Sequence, residues 1–160
     1  MGGGRLDGYN QWETISQGTP SLRTEILLNI DPLYTAVRNL RDDPWAESTC
    51  FNVSMRAAIR VGDWKLITGG AGNGSWIPPT ESGIAALHPE RRNGRSVQLY
   101  NVHVDPYERM DYSHERPDIA EELLQRLGHY YRTSVPPNFP QQEVRSADPA
   151  NYGGVWSPWA

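Results

Sequence analysis

The chain has 160 residues, a formal net charge of −4 and a mean hydropathy of −0.64. One domain of this size can bury roughly 70% of its unfolded surface. Yet Leu 12, Ile 8, Val 9 and Phe 2 make only 31 of 160 residues, just under the fraction of about one-fifth below which disorder competes with folding. Six Trp and eight Tyr add large apolar surfaces of their own, so a folded unit with a thin core is expected. The weak acidity leaves no electrostatic footprint for nucleic acid. No apolar run approaches the ~20 residues of a membrane span, and no signal-peptide core follows Met1.

In chain order, Asp7-Gly8 signals a turn, and one short helical turn fits before Gly18-Thr19-Pro20 breaks the backbone. Arg23 to Ile30 reads as a strand ended by Asp31-Pro32. Its run Ile26-Leu27-Leu28 is apolar on both faces, which suits the interior of a sheet better than its rim. Residues 33 to 53 are mixed and polar and read as loop, with a helical turn around Tyr34 to Leu40. The stretches "SMRAAIRV" and "WKLIT" are joined by Gly62-Asp63, the spacing of a tight β-hairpin. Residues 69 to 95 are rich in Gly and Pro without a period and read as a long surface loop.

The run "SVQLYNVHV", 96 to 104, alternates as a further strand, and Asp105-Pro106 sets a turn after it. The helix is expected from Pro117 to Thr133. Proline at the first position loses no useful donor, and acidic residues stand at the start and arginines at the end, as the helix dipole prefers. Ile119, Leu123, Leu127 and Tyr131, widened by Leu124, form its apolar stripe. In the Pro-rich tail, Trp156 and Trp159 are expected to pin the chain against an apolar surface. The fold class is therefore α+β: a small antiparallel sheet packed against one long C-terminal helix, with long loops.

Little in the chain points to chemistry. A nucleophilic cysteine needs a base or a positive field to form its thiolate. Thr49, Phe51 and Asn52 around Cys50 supply neither, so a lone unreactive thiol is expected. His88, His103, His114 and His129 show no ligand spacing. His103 and Asp105 share a strand face at i, i+2, but two ligands are too few for a metal site. "GGAGNGSW" lacks the Lys of a phosphate-binding loop. Asp42-Asp43 and Glu121-Glu122 read as solvated or dipole-facing carboxylates, and Arg91, Arg92 and Arg95 as a solvated turn. Asn52-Val53-Ser54 and Asn73-Gly74-Ser75 are acceptor patterns for N-linked glycans, both in expected loops.

Four stretches, "LDGYNQWETISQGTPSLRTEILLNIDP", "AAIRVGDWKLITG", "VDPYERMDYSHERPDIAEELLQRL" and "GGVWSPW", resemble in order the C-terminal third of animal sulfatases. Within that family the resemblance is to the arylsulfatase B (N-acetylgalactosamine-4-sulfatase) group, and it runs from Leu6 to Trp159. It implies an alkaline-phosphatase-like enzyme in two parts: residues 1–32 as the end of the catalytic portion with one strand of its sheet, and 33–160 as the C-terminal subdomain. It also implies a lysosomal or secreted glycoprotein, Asn52 as a family glycan position, and sulfate-ester hydrolysis on a glycosaminoglycan. Family chemistry uses a cysteine in C-x-P-S-R, oxidised to formylglycine, with calcium offsetting the sulfate charge. Cys50-Phe51-Asn52-Val53-Ser54 has neither the Pro nor the Arg, and the calcium ligands map onto no residue of this chain. No catalytic group and no metal site is therefore expected here. The partner is an N-terminal catalytic domain, and Asn29 and Trp76 are expected at the substrate rim.

The chain also departs from the family pattern. Relatives read LLHNIDP where this chain runs Leu27-Leu28-Asn29-Ile30, without the His. Family cysteines near Gly72 to Trp76 and near Ser146 are missing. A different class of function, a non-catalytic carbohydrate- or protein-binding module, is open to Trp45, Trp76, Trp156 and Trp159 if they are exposed.

Overall fold

The computed structural model describes residues 8–35, 43–70, 78–84, 95–137 and 145–156. A six-residue helix, α1 (Trp12–Gln17), ends at Gly18, whose φ of 71° closes it in the left-handed region. Four strands follow: β1 (Glu25–Thr35), β2 (Met55–Val61), β3 (Trp64–Thr68) and β4 (Val97–Asn101). They form one antiparallel sheet in chain order, and α2 (Pro117–Thr133) lies across it. The α+β architecture read from the sequence is the one observed.

Register explains the core. Leu27 lies opposite Ile59, Ile59 opposite Leu66, and Leu66 opposite Leu99. One apolar row therefore crosses all four strands, and α2 sits on it with Ala120, Leu123, Leu124 and Leu127. β2 shows the two-residue alternation of a sheet with one covered face: Met55, Ala57 and Ile59 are buried, Arg56 and Arg60 exposed. The hairpin between β2 and β3 turns on Gly62, which takes a φ of 55° at the first turn position.

β1 departs from its expected place. It is the rim strand, with no second partner among the described residues, and it continues through Asp31-Pro32 to Thr35. Proline is tolerated there because a rim strand can do without one ladder donor. The pairing slips between Leu27 and Asn29, a bulge that leaves Leu28 unpaired. Leu27 and Ile30, three residues apart, can then both pack on the core, whereas strict alternation would separate them. Ile26 and Leu28 are turned outward. The helical turn expected around Tyr34 to Leu40 is replaced by the end of β1 at Tyr34 and Thr35, and its remainder lies outside the described residues.

The stripe on α2 is also rotated from expectation. Ala120, Leu123, Leu124, Leu127 and Gly128 are buried, while Tyr131 is 43% exposed. An i, i+4 series advances about 40° per step around a helix of 3.6 residues per turn, so its ends drift off the covered face. Glu25 on β1 ties the far end of α2, accepting hydrogen bonds from Arg126 Nη1 at 2.9 Å and from the Tyr130 hydroxyl at 2.7 Å. That hydrogen bond to Glu25, with burial, raises the Tyr130 phenol above its ordinary range. In the tail, Trp156 is 77% exposed and pins nothing among the described residues. Trp159 lies outside them.

Gly128 lets α2 meet the loop before β2, because a Cβ there would stand 2.1 Å from the Cys50 carbonyl oxygen. Gly128→Ala should therefore destabilise. Alanine gains about 1 kcal/mol of helix propensity, but overpacking against backbone costs about 1–3 kcal/mol, and a contact this short lies at the costly end. A lower midpoint in urea denaturation checks it. An unchanged or higher midpoint would show that the loop yields.

Candidate functional site

Cys50 is half-buried and unpaired. Its Sγ lies 3.8 Å from Glu121 Oε1, at the start of α2. It borders a cavity of 390 Å³ between the turn around Asn52 and the last turn of α2, and no histidine lines that cavity. The thiol donates to a carboxylate, and no histidine among the described residues lines the cavity beside it, so no Cys–His pair of a nucleophilic site is assembled there. A second cavity, of 520 Å³, lies between α1 and the β2–β3 turn. Arg23 and Arg60 line it together with Glu25 and Asp63, so it favours neither sign of ligand charge.

The histidines stay apart. His103, His114 and His129 are exposed, and His88 lies outside the described residues. β4 ends at Asn101, so His103 and Asp105 do not share the expected strand face. The Asp105 carboxylate instead accepts from the Arg109 and Met110 amides at 2.6 and 2.8 Å. Among the described residues no three His, Cys, Asp or Glu side chains come together to hold a metal. Asn29 is exposed on β1 just past the bulge, and Asn52 is exposed at the turn before β2. Trp76 and Asn73 lie outside the described residues. Trp45 is half-buried and packs against the core, not out toward a ligand.

One fully buried carboxylate belongs to a residue that the sequence did not single out. The Asp111 side chain is 0% exposed. Its Oδ1 accepts from the Leu99 and Ser113 amides at 3.1 and 2.9 Å, and its Oδ2 from Arg95 Nη1 at 2.7 Å. The Leu99 carbonyl in turn accepts from the Tyr112 amide at 2.7 Å. Burial pushes the Asp111 carboxyl up, but the two amides and the guanidinium outweigh it and hold it below the ordinary value of 3.8. A buried, shifted carboxylate can mark an active site. Here every oxygen is taken by groups that finish the outer edge of β4, so its work is structural. Arg95, expected in a solvated turn, is thus an ion-pair partner. Asp43, expected to be solvated, accepts from the Ser96 amide at 2.6 Å and the Trp45 amide at 2.9 Å. The contacts of Asp111 with Arg95 and Leu99 and of Asp43 with Ser96 join positions far apart in the chain, where no local pattern could reveal them.

No protein-family model matches the chain. Arylsulfatase J of Mus musculus is 44% identical over 162 aligned residues, which cover 97% of this chain. The chain spans about a quarter of that relative, 26% of its length. A solved structure concerned with the metabolism of multiple glycosaminoglycans by Bacteroides thetaiotaomicron is 27% identical over 49% of this chain and 15% of its own. Its TM-score of 0.27 supports no statement about shape. The sulfatase resemblance of the four stretches is thus met by a sulfatase relative, while nothing in these similarities singles out the arylsulfatase B group.

The Asp111 cluster sets a pH dependence. A carboxyl whose pKa is depressed by folding stabilises the folded state above its unfolded value, near 3.9, and that stability is lost as pH falls toward the folded value. Thermal unfolding followed between pH 6 and pH 2.5 should therefore steepen below about pH 4. Asp111→Asn should be less stable at pH 6 and show a shallower loss on acidification. An identical acid limb in both proteins would remove Asp111 as its source.

Proposed function

We propose that this chain is the C-terminal part of a sulfatase, where it braces the catalytic portion and does not carry the reacting groups. One observation carries this reading: the 44% identity to arylsulfatase J over 97% of the chain. The surroundings of Cys50 agree with it, since they lack both the Pro and Arg of C-x-P-S-R and, among the described residues, a histidine beside the thiol. The complete enzyme would hydrolyse a sulfate ester, with N-acetylgalactosamine 4-sulfate in a glycosaminoglycan as the proposed substrate, by analogy with the arylsulfatase B group. When bound, calcium would offset the sulfate charge. By the same analogy its ligands are proposed to lie in the N-terminal region. A lysosomal or secreted location goes with the same reading. No helix among the described residues is long and apolar enough to cross a membrane.

A division of the chain after residue 32 is part of the same proposal, although β1 runs across that boundary and pairs with β2. Residues 1–32 are assigned to the end of the catalytic portion, the partner of 33–160. Trp12 and Ile15 on α1, Leu22 between the two elements, and Ile26 and Leu28 on β1 are exposed, and large apolar groups in such numbers are the kind of surface another part of a protein covers. Asn29, exposed next to Leu28, and Trp76 are proposed for the substrate rim, and Asn52 and Asn73 as glycan acceptors. A non-catalytic carbohydrate- or protein-binding role is the second reading, favoured by Trp156 at 77% exposure. A saturable tryptophan fluorescence change on titrating sulfated oligosaccharides would support it.

The purified 160-residue chain should not turn over a chromogenic aryl sulfate in the presence of calcium. The complete enzyme should, and Cys50→Ala in it should leave kcat unchanged. Turnover by the chain alone, or loss of activity in Cys50→Ala, would overturn the assignment.

A further inference from the structure

We propose that the cavity between α1 and the β2–β3 turn binds a small zwitterion, a ligand that presents an ammonium group and an anionic oxygen group together. This inference is independent of the sulfatase reading. The cavity measures 520 Å³, within the range of about 300–1,000 Å³ typical of small-ligand sites. Arg23, Arg60, Glu25 and Asp63 line it, so a ligand of one sign meets repulsion as well as attraction. The four are not equally free. Both Glu25 oxygens are taken, by Arg126 and by the Tyr130 hydroxyl. Arg23, Arg60 and Asp63 make no ion pair among the described residues. The open charges are thus two guanidinium groups and one carboxylate.

The fold sets these groups in place before any ligand arrives. The Gly62 amide donates to the Thr24 carbonyl at 2.8 Å, which ties the β2–β3 turn to the segment leading into β1 and brings Asp63 and Arg23 to one cavity. Arg60 Nε donates to the Gly62 carbonyl at 2.9 Å, which orients the guanidinium and leaves its two terminal nitrogens without a partner among the described residues. The Arg23 guanidinium lies over the Tyr9 ring, 5.4 Å from its centre, so one face is occupied and its N–H edge stays open. Such planar forks suit the oxygens of a carboxylate or sulfonate. Gln11 adds a donor to the lining: its Oε1 accepts from the Ser21 hydroxyl at 3.0 Å, while its Nε2 is buried without a hydrogen-bond partner. An unmet buried donor costs free energy, which an oxygen of a bound ligand would relieve. Donors outnumber acceptors here, so the ligand must bring acceptor oxygens, and Asp63 is the partner left for a cation on the same molecule. An α-amino acid is the smallest ligand of this kind, and an aminosulfonate such as taurine shares its chemistry.

The test titrates the full chain calorimetrically with L-serine and with taurine, and with acetate and methylammonium as ligands of one sign. Saturable heat is expected from at least one zwitterion, with an affinity about tenfold or more above that of either single-sign ligand, as one additional charge-assisted hydrogen bond supplies. Which zwitterion binds tells whether the anionic group is a carboxylate or a sulfonate. Arg60→Gln should weaken zwitterion binding by about tenfold. Asp63→Asn should instead narrow the preference over acetate, because the ammonium group loses its partner while the anionic group keeps its own. No saturable heat from either zwitterion, or an equal affinity for acetate, overturns the proposal. So does an unchanged affinity in Arg60→Gln or an unchanged preference in Asp63→Asn. If Arg60→Gln does not fold, the preference in Asp63→Asn decides alone.

Discussion

Everything in this fold depends on one apolar row, Leu27–Ile59–Leu66–Leu99, running across four strands beneath α2. Burial of each large side chain there contributes on the order of 1.5–3 kcal/mol. In a chain with few aliphatic residues, almost no second core exists to replace it. Ile59, Leu66, Leu99 and Leu127 are fully buried because each strand contributes to the row at the matching register position. A one-residue slip would turn a strand's whole set outward.

Keeping that row intact sets the irregular features around it. The bulge at Leu28 restores β1 to the core face after Leu27 and brings Ile30 in. Gly128 removes the side chain that would hold α2 away from the Cys50 carbonyl. At the opposite edge, Asp111 takes up the Leu99 amide while Tyr112 serves the Leu99 carbonyl, so β4 needs no fifth strand. The Asp111 and Tyr112 contacts satisfy backbone groups of β4 that would otherwise cost free energy. The two rims of the sheet therefore differ: β4 is finished from within, and β1 has no second partner among the described residues and turns Ile26 and Leu28 outward.

The candidate site shows why a single cysteine is a poor guide to chemistry. Cys50 faces Glu121, and the polar groups with the most constrained surroundings, Asp111 and Asp43, are spent on backbone amides. A carboxylate whose acceptors are filled by main-chain donors has none to spare for a substrate.

Local physics was enough for much of this protein. The β2–β3 hairpin followed from alternation around Gly62-Asp63, and α2 from its proline start and apolar spacing. These features depend on residues a few positions apart, and turn geometry and helical period act over that range. The rim position of β1, the rotation of the buried stripe toward Ala120 and Gly128, the exposure of Trp156 and the roles of Asp111 and Arg95 were decided only in three dimensions. Each depends on which distant segment arrives at a given surface. Periodicity shows that a face is apolar, but only packing decides whether anything covers it.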